Sequence, residues 1–304
     1  MRDGRGRRGL RPRAARAGRR GAARGGRLGH AGRPARQHQR PDDRDRRTRR
    51  GPDPGPNGLR LPAPGPHAGG AYDATVRTLV LWDVDHTLLS VKGLSREIYA
   101  EVFQKLTDRP LETIASMAGR TDLWIIAETL RMHGIEPVPG VLRAFTDGLA
   151  GAFSARRDEI AARGRVLPGV RAVLEAVAAR DDAVQSLLTG NARPIAVHKT
   201  TAFGLHPLID FDAGAYGEDH ADRPPLVALA QRRAARLHGR AFDAASTVLV
   251  GDTPHDVTAG RLGGARVIAV ATGFSTEPEL RAAGADIVLP DLTDTEAVLA
   301  HLLP

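Results

Sequence analysis

From Ala71 onward the chain carries six short apolar runs: TLVLWDVD (78–85), AVQSLLTG (183–190), LIDFDAG (208–214), TVLVGD (247–252), RVIAVATG (266–273) and ADIVLP (285–290). A turn and a helix-like pattern follow each of the first five. Unbroken apolar character, rather than strict alternation, fits strands buried on both faces, and strands alternating with helices form a parallel sheet covered by helices. The expected fold is therefore α/β, a Rossmann-like doubly wound parallel sheet. In such sheets ligands collect beyond the carboxyl ends of the strands.

One interval breaks the alternation. Between Ser90 and about Arg165 there is no strand pattern but three helical ones, Ser95 to Thr107, Leu123 to His133 and Val141 to Ala162. Connections in compact domains usually run about 2–6 residues apart from their helix, so this interval reads as an inserted all-helical cap over the strand ends. The expected organisation is an α/β core at 71–91 and 166–304, a helical cap at 92–165, and a tail at 1–70. LPGV, Leu167 to Val170, returns the chain to the core and opens the next helix at Pro168 and Gly169.

Chemistry-bearing residues fall at the strand ends. In an extended segment alternate side chains point the same way, so Asp83 and Asp85 face one site, with Thr87 just beyond. Taken alone, D-x-D-x-T is a modest signal, since two such acids can simply be solvated turn residues. The run VLVGDTPHD brings Asp252 to the end of another buried strand and puts Asp256 four residues on, over the same turn. SLLTGN places Thr189 at a third strand end, with Gly190 freeing the backbone and Asn191 placed to cap the helix at Pro194. Carboxylates from separate strands, beside a hydroxyl and exposed N–H groups, suit a hard cation and a phosphate.

At these residues the chain resembles the haloacid dehalogenase-like hydrolases, over Thr78 to about Gly273. The first motif of that superfamily, D-x-D-x-T/V, falls on Asp83, Asp85 and Thr87. Its second, a Thr or Ser after an apolar strand, falls on Thr189, and its fourth, G-D-x-x-x-D, on Asp252 and Asp256. The third motif is usually a lysine. The chain has three, Lys92, Lys105 and Lys199, and none precedes the fourth motif at the usual place. EDHADRPPLVALA puts Arg223 there, ahead of Pro224 and Pro225 opening a helix, and Arg holds phosphate bidentately. Arg223 is favoured for the role, and Lys199 is read as decorating the helix Ile195 to Phe203.

The resemblance implies a phosphatase with Asp83 as nucleophile, forming an aspartyl-phosphate, and Asp85 as the acid and base that serves the leaving alcohol and the attacking water. It implies Mg²⁺ held by Asp83, the Asp85 backbone carbonyl and Asp252, with Asp256 orienting that shell. Phosphate oxygens go to Thr189 and Arg223, beside Gly190 and Asn191. Dehalogenases lack the second acid of the first motif, so Asp85 argues against that activity. Phosphonatases use a cap lysine, which nothing supports at Lys92 or Lys105. A phosphomutase keeps the same residues and stays open. Phosphoglycolate-like compounds and sugar phosphates are the implied substrate candidates.

Lesser candidates have plain readings beside the functional ones. Arg120, in AGRTD, is placed to reach substrate, and equally suits a solvated Arg with Asp122 capping a helix. His86 reads as a loop residue where relatives often have Gly. His220 with Asp219 and Asp222 resembles a metal cluster, but reads better as a polar loop positioning Arg223. Trp82 and Trp124 read as packing residues.

Charge is lopsided. Residues 1–70 hold 20 Arg against 5 Asp, a balance of +15, which leaves −6 for the rest of a chain whose total is +9. That stretch contains no Val, Ile, Phe, Trp, Tyr or Ser, so it has almost nothing to bury and is expected to be disordered. One reading makes it a basic arm on nucleic acid, an alternative function from a different class. The absence of aromatic residues weakens that for single strands. The simpler reading is a GC-rich frame upstream of the true start, with Val76 as an alternative start. There is no cysteine, which excludes disulfides and thiolate metal sites. No apolar run nears the roughly 18 residues that cross a membrane, and a cytoplasmic location is expected.

Overall fold

The computed structural model describes residues 77–303, so the Arg-rich tail and its expected disorder lie outside the described residues. Among the described residues there are seven strands: β1 (Thr78–Trp82), β2 (Leu89–Ser90), β3 (Arg165–Val166), β4 (Ala183–Leu187), β5 (Thr247–Gly251), β6 (Arg266–Val270) and β7 (Ile287–Leu289). Five of them form one parallel sheet in the order β4-β1-β5-β6-β7. β1 lies between β4 and β5, with Leu79 opposite Val184 of β4 on one side and Thr247 of β5 on the other.

The helices are α1 (Leu94–Thr107), α2 (Asp122–Met132), α3 (Pro139–Ala155), α4 (Arg157–Arg163), α5 (Val170–Ala178), α6 (Arg193–Ala202), α7 (Pro224–His238), α8 (Pro254–Gly263), α9 (Glu277–Ala283) and α10 (Thr295–Leu302). Side chains of β1 alternate between two cores. Val80 and Trp82 pack with α5, α6 and α10 on one face, while Leu79 and Leu81 pack with α7 and α8 on the other. This is the doubly wound arrangement, and it explains the unbroken apolar runs: both faces of β1 are dry. Trp82 is fully buried, and its indole N–H is satisfied by Gln185 Oε1 at 3.1 Å. Among the described residues no helix is long and apolar enough to cross a membrane.

Three expectations are corrected. LIDFDAG is not a strand. A single 3₁₀ turn (His206–Leu208) is followed by irregular chain that meets β4 at one isolated bridge, Leu188 with Ala215. The cause is Asp210, whose carboxylate accepts from the backbone N–H groups of Asp212 and Ala213 and turns the chain out of extension. The third helical pattern of the insertion is two helices, broken at Arg156, where Arg156 and Arg163 close a surface ion cluster with Glu97 and Glu159. The interval read as strandless is bracketed by β2 and β3, which pair antiparallel at its two ends. Two residues per strand are too few for a periodic signal.

Candidate active site

Strand ends bring the acids together. β1 runs straight into Asp83, whose backbone N–H bonds to Val250 O at 2.9 Å, fixing it against β5. β5 ends in Gly251 and Asp252. A Cβ on Gly251 would come within 2.4 Å of the Asp256 carboxyl carbon, so only glycine lets α8 start this close to the strand. Thr253 and Asp256 form a reciprocal capping box at that start, with the Thr253 hydroxyl donating to Asp256 Oδ2 at 2.6 Å.

Asp83, Asp252 and Asp256 are all buried, and one oxygen from each lies within 4.8 Å of the others. Burial pushes the Asp83 and Asp252 carboxyls well above the ordinary carboxylate range, and mutual repulsion with Asp256 adds to it. Clustered hard oxygen donors of this kind fit a small divalent cation. One cation of the chain already enters the group. Arg223 is 6% exposed, and its Nη2 lies 2.9 Å from Asp83 Oδ1, 2.7 Å from Asp256 Oδ1 and 3.2 Å from Leu188 O. The Asp256 contact is an ion pair without hydrogen-bond geometry, and Arg223 Nε is buried with no hydrogen-bond partner among the described residues.

Asp85 has a separate setting. Lys199 Nζ donates to both its oxygens at 2.8 and 2.7 Å, and Asn191 Nδ2 donates to Oδ2 at 2.7 Å. Burial alone would raise this carboxyl, but the Lys199 charge and the Lys199 and Asn191 hydrogen bonds bring it below the ordinary value. The Thr189 hydroxyl oxygen accepts from Asn191 N and Nδ2, at 3.3 and 3.0 Å.

Sequence readings change here, first at Lys199 and Asn191. Lys199 does not decorate its helix: it is 1% exposed, because α6 turns Ile195, Ala196, Lys199 and Thr200 inward together. That i, i+1, i+4, i+5 face was the available signal. Asn191 does not cap α6, whose N-cap is Ala192 without a side-chain bond; the Asn191 amide is spent on Asp85 and Thr189. Arg223 and Lys199 thus both reach the end of β1, one at each carboxylate.

The inserted helices complete the walls. Gly190 does not need its freedom for a left-handed turn. It is needed because a Cβ there would sit 2.0 Å from Arg120 O. Asp122 N donates to Gly190 O at 2.7 Å, and the buried Asp122 carboxylate accepts from Tyr99 OH at 2.5 Å and Ala192 N at 2.8 Å. Asp122 is therefore not the helix cap: Thr121 caps α2, accepting from Trp124 N. Tyr99 and Asp122 were not singled out as site residues by sequence, since neither belongs to a strand-end motif. A cavity of about 470 Å³ lies between, lined by Asp83, Asp85, Asp252, Thr189 and Asn191 from the strand ends and by Arg120 and Tyr99 from the insertion. The Arg120 guanidinium stacks 4.3 Å over the Trp124 ring.

The remaining candidates resolve simply. His86 takes a left-handed backbone (φ 62°), and its ring meets Phe274 edge-on at 4.9 Å. Asp219 pairs with Arg233 at 2.7 Å, and His220 Nδ1 accepts from Asp222 N, so this loop makes no metal cluster.

A doubly wound sheet with an acidic centre at its carboxyl edge, roofed by an inserted helical segment, defines an α/β protein whose site lies at the strand ends. The chain belongs to the haloacid dehalogenase-like hydrolases: the family model matches residues 80–261, more than half of its length. No curated protein matches it in sequence. Among solved structures it is similar to a hydrolase from Pseudomonas syringae, at 20% identity and TM-score 0.55, covering 75% of this chain and 100% of that one. It is also similar to CbbY from Rhodobacter sphaeroides in complex with phosphate, at 22% identity and TM-score 0.53, covering 72% and 96%. A predicted phosphoglycolate phosphatase from Haemophilus somnus matches at 17% identity and TM-score 0.51, covering 75% and 99%. Likeness at this level speaks to the fold.

Proposed function

We propose that the protein is a Mg²⁺-dependent phosphatase that hydrolyses a small phosphorylated metabolite through an aspartyl-phosphate on Asp83. The observation that carries this reading is the division between the two acids of one strand end: Asp83 sits among Asp252, Asp256 and Arg223, while Asp85 is held apart by Lys199 and Asn191.

In the first step an Asp83 oxygen bonds to phosphorus, the bond from phosphorus to the substrate oxygen breaks, and Asp85 gives its proton to the departing alcohol. In the second, Asp85 takes a proton from water as that water attacks phosphorus, and Asp83 leaves as a carboxylate with inorganic phosphate released. The non-reacting oxygens go to Arg223, to the loop at Gly190 and Asn191, and to Thr189, whose hydroxyl accepts locally and keeps its own proton to donate. Asp83, Asp252 and the Asp85 backbone carbonyl would hold Mg²⁺, with Asp256 beside them. When bound, the ion offsets the clustered negative charge and draws charge from the phosphate.

The helical segment 92–165 acts as the cap, and the cavity of about 470 Å³ beneath it suits a small metabolite. Arg120, at its wall, is the candidate substrate contact from the cap.

The test is phosphate release from p-nitrophenyl phosphate with and without Mg²⁺, then from a panel of phosphorylated metabolites. Mg²⁺-dependent release that disappears in Asp83→Asn supports the reading. Activity that persists in a chelator, or in Asp83→Asn, overturns it.

A further inference from the structure

We propose that Lys199 is a positioning residue for Asp85, aiming its carboxyl at the leaving-group oxygen of the substrate. The inference rests on the role given to Asp85 above and adds a residue to it.

The contacts form a closed ring. Lys199 Nζ donates to Asp85 Oδ1 at 2.8 Å, to Asp85 Oδ2 at 2.7 Å and to Asn191 Oδ1 at 2.8 Å, while Asn191 Nδ2 returns to Asp85 Oδ2 at 2.7 Å. An ammonium has three protons, and three acceptors surround this one. The Phe153 ring, 5.3 Å from Nζ, stands on the cap side. Ordering a lysine in this way costs rotamer entropy, so the arrangement holds Asp85 in place by immobilising an otherwise flexible side chain. The Asp85 side chain is itself 35% exposed, whereas that of Lys199 is 2% exposed. Without Lys199, water would solvate the carboxyl and the Asn191 bond alone would hold its rotamer.

The two buried cations divide the strand end. Arg223 takes Asp83 and Asp256, and Lys199 takes Asp85. A lysine serving the phosphate or the metal would be expected against Asp83, Asp252 or Asp256, and among the contacts of the described residues it touches none of them. Its effect should therefore be felt where Asp85 acts. When the bond from phosphorus to the leaving oxygen breaks, the electron pair stays on that oxygen, and the proton from Asp85 neutralises it. A weakly basic leaving group such as p-nitrophenolate departs with little help. A basic alkoxide does not.

The experiment compares kcat/KM of wild type and Lys199→Met on p-nitrophenyl, phenyl and benzyl phosphates, whose leaving groups rise in basicity. General acid catalysis contributes about 10²–10⁴-fold. Lys199→Met is expected to lose activity on all three, and to lose at least about tenfold more on benzyl than on p-nitrophenyl phosphate, with Mg²⁺ half-saturation unchanged. In an Asp85→Asn background the same substitution should add little. Lys199→Gln, which keeps an N–H donor group without the charge, should recover part of the leaving-group effect and serves if the Met variant does not fold. Equal losses on all three substrates, or full additivity with Asp85→Asn, would overturn the proposal and assign Lys199 to the phosphate itself. A wild type that releases phosphate from none of them is a separate outcome: it refutes the phosphatase reading, and this proposal with it.

Discussion

Arg223 Nη2 lies 2.9 Å from Asp83 Oδ1, and both side chains are buried. Arg223 is the one cation this close to the trio Asp83, Asp252 and Asp256 among the described residues. Removing one partner of a buried pair leaves the other charge uncompensated, at a cost of about 3–5 kcal/mol. Arg223→Met should therefore lower the urea midpoint sharply in metal-free buffer, and added Mg²⁺ should restore part of the loss. An unchanged midpoint would mean that the acids relax or protonate without penalty.

Asp83→Asn removes charge from a crowded acidic group while keeping its shape. It should abolish phosphate release, by more than about a thousandfold for a lost nucleophile, yet leave the metal-free protein as stable as wild type or more so. Paired turnover and melting measurements check both halves. A variant that is inactive because it is unfolded would remove the support this gives to Asp83 as nucleophile.

Stability should depend on pH through the same cluster. Asp83 and Asp252 have folded-state pKa values raised by burial and mutual repulsion. A raised carboxyl keeps its proton in the folded chain where the unfolded chain has lost it. Its stabilisation is present at low pH and fades as pH climbs from about 4, the unfolded value, through the folded one. Mg²⁺ requires the ionised forms and displaces those protons. The gain in melting temperature from saturating Mg²⁺ should therefore grow between about pH 5 and about pH 8, a window set by the ordinary and raised carboxyl values. A gain independent of pH would show that the cluster is already ionised without metal.

Gly190→Ala tests how the insertion meets the strand ends. Its Cβ would fall 2.0 Å from Arg120 O, a backbone atom that cannot swing aside. Relief requires moving α2 or the loop after β4, at about 1–3 kcal/mol as for other overpacked sites. The expected result is a lowered melting temperature together with a raised KM. A neutral Gly190→Ala would mean that the insertion rides freely on the core.

Much of this architecture was legible because it follows from burial. Five runs read as strands are strands, for the reason that their side chains fill cores on both sides of the sheet. LIDFDAG misled because apolar content was weighed without the habit of Asp210 of bonding to nearby backbone N–H groups. Asp83, Asp85, Thr189 and Asp252 lie at strand ends, where short-range spacing is informative. Lys199 was misplaced because its residue type was weighed ahead of the face it shares with Ile195 and Ala196. Tyr99 and Asp122 illustrate the harder limit: they are 23 positions apart on different helices, and only the tertiary fold brings their side chains together.

That pair carries the last prediction. Asp122 joins the insertion to the loop after β4, accepting from Tyr99 OH at 2.5 Å and from Ala192 N at 2.8 Å, with its own N–H bonded to Gly190 O. Asp122→Ala leaves two buried donors unpaired, at about 1–3 kcal/mol each. Tyr99→Phe leaves the carboxylate with the Ala192 bond and should cost less. Asp122→Asn keeps an acceptor of the same shape and should fall between wild type and Asp122→Ala. If the three costs follow this order, and the Tyr99→Phe/Asp122→Ala double variant costs less than the sum of its parts, the Tyr99–Asp122 bond couples the insertion to the strand ends. KM should rise with the same order, because Asp122 and Tyr99 both line the cavity. Strict additivity of the two single substitutions in denaturant unfolding would show that the bond carries no such coupling.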